Sequence, residues 1–362
     1  MNRATKRKLR KELARSREWY SLRHILGHAN WAIFFILLGA REAGKSYSVS
    51  DFLCRQWRNK GIPFTWLRLT ERATQKLLQN NAEKLIDPDL RRKYDLDIVT
   101  SGNNVYEVTK RTLPDKNGKT KIVEKKLMAR VYAISTFYND KGSIFDNEFL
   151  DDLTMRYNVA IDEFERESSE KNTFDILYCL VNQLENLIRS TKERTKIFML
   201  GNTLEEASEI LCAFEFIPEE TGIFKLKSKR CVIENIEPSE AYLKRRKGTV
   251  ADILLPKAST FTNKIDTDNA LVSKEQLIAP SYIIKFTKNQ KDWFTVWNGN
   301  VICQYHGEKK PVRAMRPYLD EVFSSDQQKA IILAFDSRSF KFRNLITFKQ
   351  FQVQLELLKP RK

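Results

Sequence analysis

The sequence has few histidines, few cysteines and no long hydrophobic run. Only three of its 362 residues are histidine, two of them near the N-terminus, so we do not expect a His-rich metal site. The five cysteines are scattered without a C-x-x-C pair, which predicts reduced thiols in a cytosol rather than disulfides or zinc ligands. The longest apolar run, residues 31–40, is far shorter than the ~20 residues that span a bilayer. The basic N-terminus lacks the apolar stretch of a signal peptide.

The length and the charge distribution predict two domains with basic ends. Residues 1–30 hold nine Lys/Arg against two Asp/Glu, and residues 241–362 hold 22 against 11. Of the total net charge of +17, almost none therefore falls on residues 31–240. Basic flanks of this size favour polyanion binding, because Lys and Arg neutralise nucleic-acid phosphates; the alternative is a contribution to solubility alone.

The clearest motif is a phosphate-binding loop at residues 39–46. An apolar run, residues 32–38, is followed by the pattern G-x-x-x-x-G-K-S, and residues 47–57 then have helical apolar spacing. In such a loop the backbone N–H groups point at phosphate oxygens, the lysine reaches the β/γ-phosphates and the serine binds Mg²⁺. The predicted nucleotide ligands are Gly39, Ala40, Arg41, Glu42, Ala43, Gly44, Lys45, Ser46 and Tyr47.

A second motif lies about 120 residues further on. Residues 157–164 form an apolar strand that ends in Asp162 and Glu163. We expect Asp162 to hold Mg²⁺ through its water shell, and Glu163 to orient or deprotonate the attacking water. A small-molecule phosphotransferase must exclude hydrolysis and needs no such glutamate, so the pair predicts a nucleotide hydrolase.

The remaining elements predict an α/β fold with a parallel sheet and helices on both faces, the P-loop NTPase (ASCE) class. Further core strands are expected at 62–69, 129–136 and 196–200, with helices at 71–85 and 174–188. Residues 105–112 and 119–126 predict an exposed hairpin that is an insertion outside the central sheet. Residues 3–24 suit a basic helix, which either touches nucleic acid or a neighbouring subunit, or is a solvated end.

The C-terminal part predicts a separate α+β domain. Strands are expected at 282–286, 293–297, 301–305 and 331–335, and a helix at 348–358. The aromatic residues Phe286, Trp293 and Trp297 could stack on bases, but an alternating aromatic strand favours packing on a sheet core. The predicted boundaries are a basic N-terminal arm at 1–30, the ATPase domain at 31–215, a linker at 216–248 and the C-terminal domain at 249–362.

These motifs resemble the DNA-packaging ATPases of small tailed bacterial viruses, the phi-29-like group, which are relatives of terminase large subunits. The loop from Gly39 to Tyr47 matches theirs, including the arginine at its third position, and residues 161–164 match their second motif. The helix at 180–189 followed by residues 200–202 is similar to their arginine-finger helix and coupling strand.

The resemblance implies a homomeric ring, with five subunits expected, that drives double-stranded DNA into a procapsid at its portal by hydrolysing ATP with Mg²⁺. It implies that Arg189 is the finger that enters the adjacent subunit, with Arg194 as a rival, and that Asn202 senses the γ-phosphate. Arg41 would act in cis and Lys141 would contact DNA in the channel. Lys244, Arg245, Arg246 and Lys247 would form a further DNA contact. A packaging RNA is a possible additional partner, no membrane is involved, and the expected location is the host cytoplasm and, transiently, the procapsid.

The resemblance also implies that the C-terminal domain is a degenerate RNase-H-like nuclease that grips DNA without cutting it. A two-metal nuclease needs three or four converging carboxylates, and residues 245–362 offer only Asp292 and Asp336 as good candidates. Two alternatives stay open from the sequence: a terminase with an active nuclease, and a nucleotide-gated DNA-binding protein without turnover.

Overall fold

The computed structural model of the protein describes residues 19–27, 29–115, 118–139, 157–164, 176–188, 195–202, 208–218, 220–254, 271–284, 286, 292–306, 316–317 and 325–356. It divides into two compact units. The first consists of Met1–Thr203 with Glu220–Lys264, and the second of Leu204–Glu219 with Ile265–Lys362. The chain therefore passes from the first unit to the second, returns, and leaves again.

The first unit is built on a nine-stranded sheet. Its strands are β1 Phe34–Gly39, β2 Phe64–Arg68, β3 Ile98–Ser101, β4 Asn104–Asp115, β5 Gly118–Ala133, β6 Asn158–Asp162, β7 Lys196–Asn202, β8 Gly222–Leu226 and β9 Cys231–Asn235. Their order across the sheet is β3-β4-β5-β2-β6-β7-β1-β9-β8. The six strands from β5 to β9 in this order are parallel, and β3, β4 and β8 are joined to them by antiparallel pairing.

The central strands of this sheet are buried on both sides, as is usual where helices cover both faces of a sheet. Every residue of β6 and β9 is buried, as in parallel sheets that are covered on two faces. The helices are α1 Arg23–Leu26, α2 Lys45–Lys60, α3 Glu71–Ala82, α4 Pro88–Tyr94, α5 Ile134–Asn139, α6 Ile176–Ile188, α8 Glu240–Arg246 and α9 Val250–Leu254. The predicted α/β fold with a parallel P-loop sheet is confirmed. None of the described helices has the length and apolarity that crossing a membrane would require.

The predicted linker at 216–248 is wrong. Residues within it form β8, β9 and α8, and β9 pairs in parallel with β1, the strand that leads into the phosphate loop. The sequence CVIEN has a glutamate and follows a turn, so it lacks the signal of an apolar core strand. Its burial comes from pairing with a strand about 200 residues earlier, which no local pattern reveals.

The predicted hairpin is also more than an insertion. β5 is one continuous strand of 16 residues, and its last five residues pair in parallel with β2, so the expected third core strand and the hairpin share a strand. β4 pairs with β5 along its whole length. At the N-terminal end, the described residues 19–24 of the expected 3–24 helix are helical only at Arg23 and His24, where α1 begins; residues 3–18 lie outside the described part.

The described residues of the second unit form a five-stranded sheet and three helices. Its strands β10 Pro280–Ile284, β11 Asp292–Trp297, β12 Val301–His306, β13 Arg316–Pro317 and β14 Lys341–Phe342 lie in the order β13-β10-β11-β12-β14. Its helices are α7 Glu209–Ala213, α10 Ser325–Asp336 and α11 Leu345–Glu356. This is the α+β class predicted for the C-terminal part.

The core of the second unit shows that residues 331–335 are not a strand and that Phe286 packs on the sheet, as the sequence favoured. Residues 331–335, predicted as a strand, lie in α10, because Ile331 and Phe335 face the core one helical turn apart while Leu333 between them is exposed. A short apolar run does not distinguish a strand from a buried helix. Phe286 is buried against Phe294 and Phe351, so it packs on the sheet core rather than presenting a face to bases.

The burial of β9 leads to a stability prediction. Ile233→Ala should lower the free energy of unfolding by about 2–5 kcal/mol, because the side chain is fully buried and belongs to β9, the strand paired between β1 and β8. The matched control is Ile223→Ala in β8, where the side chain is 46% exposed and the loss should be well below that. Urea unfolding measures both, and equal losses in the two variants would contradict the placement of β9.

Candidate active site

The ends of β1, β7, β6 and β2, which are neighbours in the sheet, lie at one edge and define the site. β7 lies between β1 and β6, and the parallel registers place Gly39 beside Asn202, and Asp162 beside Leu200. β7 therefore brings its last residue, Asn202, to the same edge as the phosphate loop after β1 and the acidic residues at the end of β6. Because carboxyl ends of parallel strands form the crevice of an open α/β sheet, this edge is where a ligand would bind.

The phosphate loop has the backbone that its glycines predict. Gly44 has φ of 93°, a left-handed conformation that glycine adopts without strain, and α2 begins directly after it at Lys45. The Nζ atom of Lys45 donates hydrogen bonds to the carbonyl oxygens of Gly39 and Ala40, both at 2.8 Å. The helix N-terminus, the loop backbone and the lysine thus lie together at the end of β1, the arrangement that binds anions in other proteins.

Lys45 is almost completely buried, with 7% of its surface exposed. Burial lowers the pKa of Lys45 to about 8, against the opposing attraction of Asp162 and Glu163. An anionic phosphate would reverse this shift, because it stabilises the charged ammonium.

Ser46 and Asp162 meet across the sheet edge. The Oγ atom of Ser46 donates to Oδ1 of Asp162 at 3.1 Å, which joins the first helical turn after β1 to the end of β6. Among the described residues no group of three or more His, Cys, Asp or Glu could hold a metal by itself. One hydroxyl and one carboxylate nevertheless fit Mg²⁺, which in NTP sites takes its other ligands from phosphates and water.

Glu163 is held in an unusual backbone conformation. Its φ is 54°, in the left-handed region that a residue with a side chain rarely adopts, and its N–H donates to the carbonyl of Leu200 at 2.9 Å. The next residue, Phe164, is fully buried against Gly201, where a Cβ atom would lie 2.9 Å from the Phe164 ring. The exposed carboxylate of Glu163 therefore rests on a closely packed support that leads directly to Asn202.

Arg68, at the end of β2, is the site residue that the sequence analysis missed. Its Nη1 atom donates to Oδ2 of Asp162 at 2.7 Å, and its Nη2 atom donates to Oε2 of Glu163 at 2.5 Å. Burial raises the pKa of Asp162, and the guanidinium opposes that shift. A basic residue that ends a predicted core strand, in the same sheet as an Asp-Glu strand end, is the signal that could have found it.

α8 contacts the phosphate loop from its other side. The Tyr242 hydroxyl donates to the carbonyl oxygen of Arg41 at 2.9 Å, and Arg245 donates to the carbonyl oxygen of Glu42 at 2.8 Å. Arg246 forms an ion pair with the Glu42 carboxylate at 2.5 Å. These bonds fix a loop whose Glu42 has a left-handed φ of 60°.

The segment before α1 completes this enclosure. Tyr20 donates its N–H to the carbonyl of Ala43 at 2.9 Å, and its hydroxyl donates to the buried Glu234 of β9 at 2.6 Å. The indole ring of Trp19 lies 3.8 Å from the Arg245 guanidinium carbon, in a cation–π arrangement. Burial, together with Glu234, raises the pKa of the Tyr20 hydroxyl well above its usual value, so the phenol stays protonated and donating.

The predicted site residues divide into three groups. The structure brings the loop residues, Asp162, Glu163 and Asn202 to one edge, with Arg41 and Tyr47 exposed there. Arg245 and Arg246 contact the phosphate loop, whereas Lys244 and Lys247 are exposed, so DNA binding stays a prediction for the exposed pair. Lys141, Arg189 and Arg194 lie outside the described residues.

A phosphate loop, an acidic strand end and a strand between them define a P-loop NTPase of the additional-strand class. No protein-family model matches the chain, and no curated protein matches it. Its structure is similar to the Phi-28 gp11 DNA packaging motor, with 15% sequence identity and a TM-score of 0.62 over 96% of this chain and 100% of that chain. It is also similar to the bacteriophage Phi-29 viral genome packaging motor assembly, with 16% identity and a TM-score of 0.58 over 94% and 99%. The resemblance predicted from the motifs is confirmed at the level of the fold: this chain has the fold of a phage DNA-packaging motor subunit.

Nucleotide affinity should fall at high pH. The free protein begins to lose the Lys45 proton near pH 8, whereas a bound phosphate restores it, so binding takes up a proton above that pH. The Kd for ADP should rise toward tenfold per pH unit above about 8, which calorimetric titrations from pH 6.5 to 9.5 would measure. Titrations in two buffers of different ionisation enthalpy provide the control, and an affinity independent of pH would contradict the prediction.

The two pairs of basic residues at the C-terminal end of α8, Arg245 with Arg246 and Lys244 with Lys247, should behave differently. Arg245→Gln with Arg246→Gln removes bonds to Glu42, so it should raise the nucleotide Kd about fivefold, the equivalent of about 1 kcal/mol. Lys244→Gln with Lys247→Gln changes the net charge equally at exposed positions and should leave nucleotide affinity unchanged. Fluorescent-nucleotide titration compares them, and equal losses would argue for a general effect of charge.

Proposed function

We propose that the protein is an ATP-driven motor that translocates double-stranded DNA into a viral procapsid, acting as a homomeric ring, with five subunits expected, at the portal vertex. The observation that carries the proposal is the Ser46–Asp162 contact beside the strained, exposed Glu163, because it assembles the groups of an NTP hydrolase. The fold that the chain shares with two DNA-packaging motors supports the proposal that its ATP hydrolysis moves DNA.

Each group of the site has a distinct role in ATP hydrolysis. Lys45 and the N–H groups of the loop neutralise and orient the β- and γ-phosphates of the substrate. Ser46 and Asp162 would hold Mg²⁺, and the ion would supply positive charge against the phosphates of the substrate. Glu163 orients the attacking water and accepts its proton.

Arg68 makes the state of Glu163 dependent on the phosphate. In the structure its guanidinium binds both carboxylates, so Glu163 is drawn toward Asp162 and partly neutralised. A γ-phosphate beside it offers the guanidinium a competing anion and frees the carboxylate for water. This exchange would discourage turnover in a site without its substrate.

Further roles connect hydrolysis to motion. Asn202 ends β7 beside Gly39, which supports a role in sensing the γ-phosphate. Arg189 would enter the site of the adjacent subunit, with Arg194 as the rival finger, and Arg41 would act within its own subunit. Lys141 would contact DNA in the channel, and the C-terminal unit would grip DNA and dock on the portal, with a packaging RNA as a possible further partner. The proposed location is the host cytoplasm and, during packaging, the procapsid.

The test is steady-state ATP hydrolysis with and without double-stranded DNA at two salt concentrations. The wild type should be stimulated by the duplex, and higher salt should reduce that stimulation because phosphate contacts release counterions. Glu163→Gln should lower kcat by at least about 100-fold while nucleotide still binds, since it removes the general base. Glu83→Gln, at an exposed position of α3's C-terminal side, is the matched control and should keep full turnover. Turnover indifferent to DNA would contradict the motor.

A further inference from the structure

The segment before β1 is bonded to three parts of the ATPase domain. The N–H of Tyr20 donates to the carbonyl oxygen of Ala43 in the phosphate loop at 2.9 Å, and its hydroxyl donates to Glu234 of β9 at 2.6 Å. The N–H of Leu22, a buried residue of the core, donates to the Ser48 hydroxyl of α2 at 2.8 Å. The segment is therefore fixed to the phosphate loop, to the strand beside β1 and to the helix that follows the loop.

Two residues of this segment support the end of the phosphate loop. Tyr20 bonds the carbonyl of Ala43, and a Cβ atom on Gly44 would lie 3.2 Å from the indole ring of Trp19. Ala43 and Gly44 directly precede Lys45, where α2 begins. The N–H groups of such a loop must point at the bound anion, so the positions of these peptide groups affect nucleotide affinity.

His24 lies between two hydrogen-bond acceptors. Its Nδ1 atom is 2.6 Å from the carbonyl oxygen of Ser21, and its Nε2 atom is 2.7 Å from Oε1 of Glu234. A carbonyl oxygen only accepts, so Nδ1 must carry a hydrogen. A neutral imidazole has one N–H, so its Nε2 would then be a lone pair, which cannot bond to a carboxylate. The contact between His24 and Glu234 therefore requires one additional proton, which the two side chains share.

The surroundings of the pair favour keeping this proton. Glu234 is 8% exposed, so its charge is costly without a cation, and a protonated His24 supplies that cation. Tyr20 also contacts the imidazole, with its ring edge-on at 5.8 Å. Burial and Glu234 raise the pKa of the Tyr20 hydroxyl well above its usual value, so the phenol keeps its own proton when the pair titrates. Arg23, the neighbouring charged residue on α1, is exposed, and the α2 group bonded to the segment, Ser48, is neutral.

We propose that Glu234 and His24 are positioning residues for nucleotide binding, and that the proton they share holds Tyr20 against the phosphate loop. With the proton bound, Glu234 joins His24 to the Tyr20 hydroxyl, and the Tyr20 N–H remains on Ala43. When the proton leaves for solvent, two lone pairs face each other at 2.7 Å and the imidazole separates from the carboxylate. The buried carboxylate then lacks its cation, and Tyr20 loses the fixed partner that orders the loop.

The inference rests on the proposed function, because it assumes that the phosphate loop binds the nucleotide. It adds a control of that binding by a proton held outside the phosphate space. The protonated pair is the form that orders the loop, so its contribution to affinity is present at low pH and is lost as the pH rises through the titration of the pair. Lys45 also loses its proton at high pH, so the two effects need a variant that separates them.

Glu234→Gln separates the two titrations. Its amide N–H₂ can donate to the Nε2 lone pair of a neutral His24 while its oxygen accepts from Tyr20, so the same bonds form without the additional proton. Lys45 is present in both proteins, and its titration cancels from the ratio of their Kd values for ADP. This ratio, wild type over variant, should rise about fivefold between pH 6 and pH 9.5 in calorimetric titrations of the full chain. A ratio that is independent of pH would overturn the proposal.

Two further variants provide the controls. His24→Ala removes the cation from Glu234, so the Kd for ADP should already be raised at pH 6 and should follow only the Lys45 titration above it. Arg23→Ala removes one positive charge at the neighbouring exposed position and should keep the wild-type pH profile. Equal effects of the two variants would indicate a general effect of charge and overturn the proposal. Wild-type protein that binds no ADP at any pH would instead contradict the proposed function itself.

Histidine NMR tests the shared proton with the pair intact. The chain has three histidines, so ¹⁵N-histidine labelling gives three imidazole signals, and His24→Ala identifies the signal of His24. An unperturbed histidine titrates near pH 6.5. In the wild type the His24 signal should titrate at least about one pH unit higher, and in Glu234→Gln it should titrate at or below that reference. A wild-type midpoint at the reference value would show that no proton is held between His24 and Glu234, which would overturn the proposal.

Discussion

The site depends on the convergence of strand ends that belong to distant parts of the chain. β1 delivers the phosphate loop, β6 delivers Asp162 and Glu163, and β2 delivers Arg68, because these parallel strands all end at one edge of the sheet. The buried backbone pairing of these strands fixes their relative register, so the 3.1 Å contact between Ser46 and Asp162 needs no ligand to form. Lys45 and Arg68 then supply positive charge beside two carboxylates, of which Asp162 is buried and Glu163 is exposed. Removing any strand from this order would separate the groups that hold phosphate from those that activate water.

The same site is enclosed by parts of the chain that are far from its motifs. Tyr20 reaches the loop from before β1, and Tyr242, Arg245 and Arg246 reach it from after β9. These groups bind backbone carbonyls and Glu42 rather than pointing at the phosphate space. Their effect is to hold the loop in shape, and any change that a nucleotide imposes on Arg41 or Glu42 reaches α8 directly. The basic run on α8 is thus divided between an inner pair that serves the loop and an outer pair that faces solvent.

The sequence predicted the features whose cause is local. The loop from Gly39 to Ser46 and the strand end at Asp162 and Glu163 are short patterns in which a few residue types determine a geometry, and both were recognisable without the fold. β9 was not, since CVIEN becomes a core strand only by pairing with β1. Arg68 was missed for the same reason: it is one arginine at a strand end until the order of strands places β2 beside β6. Residues 331–335 were predicted as a strand and are helical, because a run of five apolar residues fits the burial pattern of a strand as well as that of a helix.

The position of β9 also determines when this protein can fold during its synthesis. β1 is made early, but its partner on one side is complete only after residue 235, so a nascent chain that ends near residue 215 carries β1 with one edge unpaired. An exposed, apolar central strand is a template for association with other chains. Contacts across about 200 residues also slow the closing of the sheet. Chaperone binding and aggregation during translation should therefore concentrate in the interval between the completion of β7 and that of β9, before residues 265–362 of the second unit have emerged.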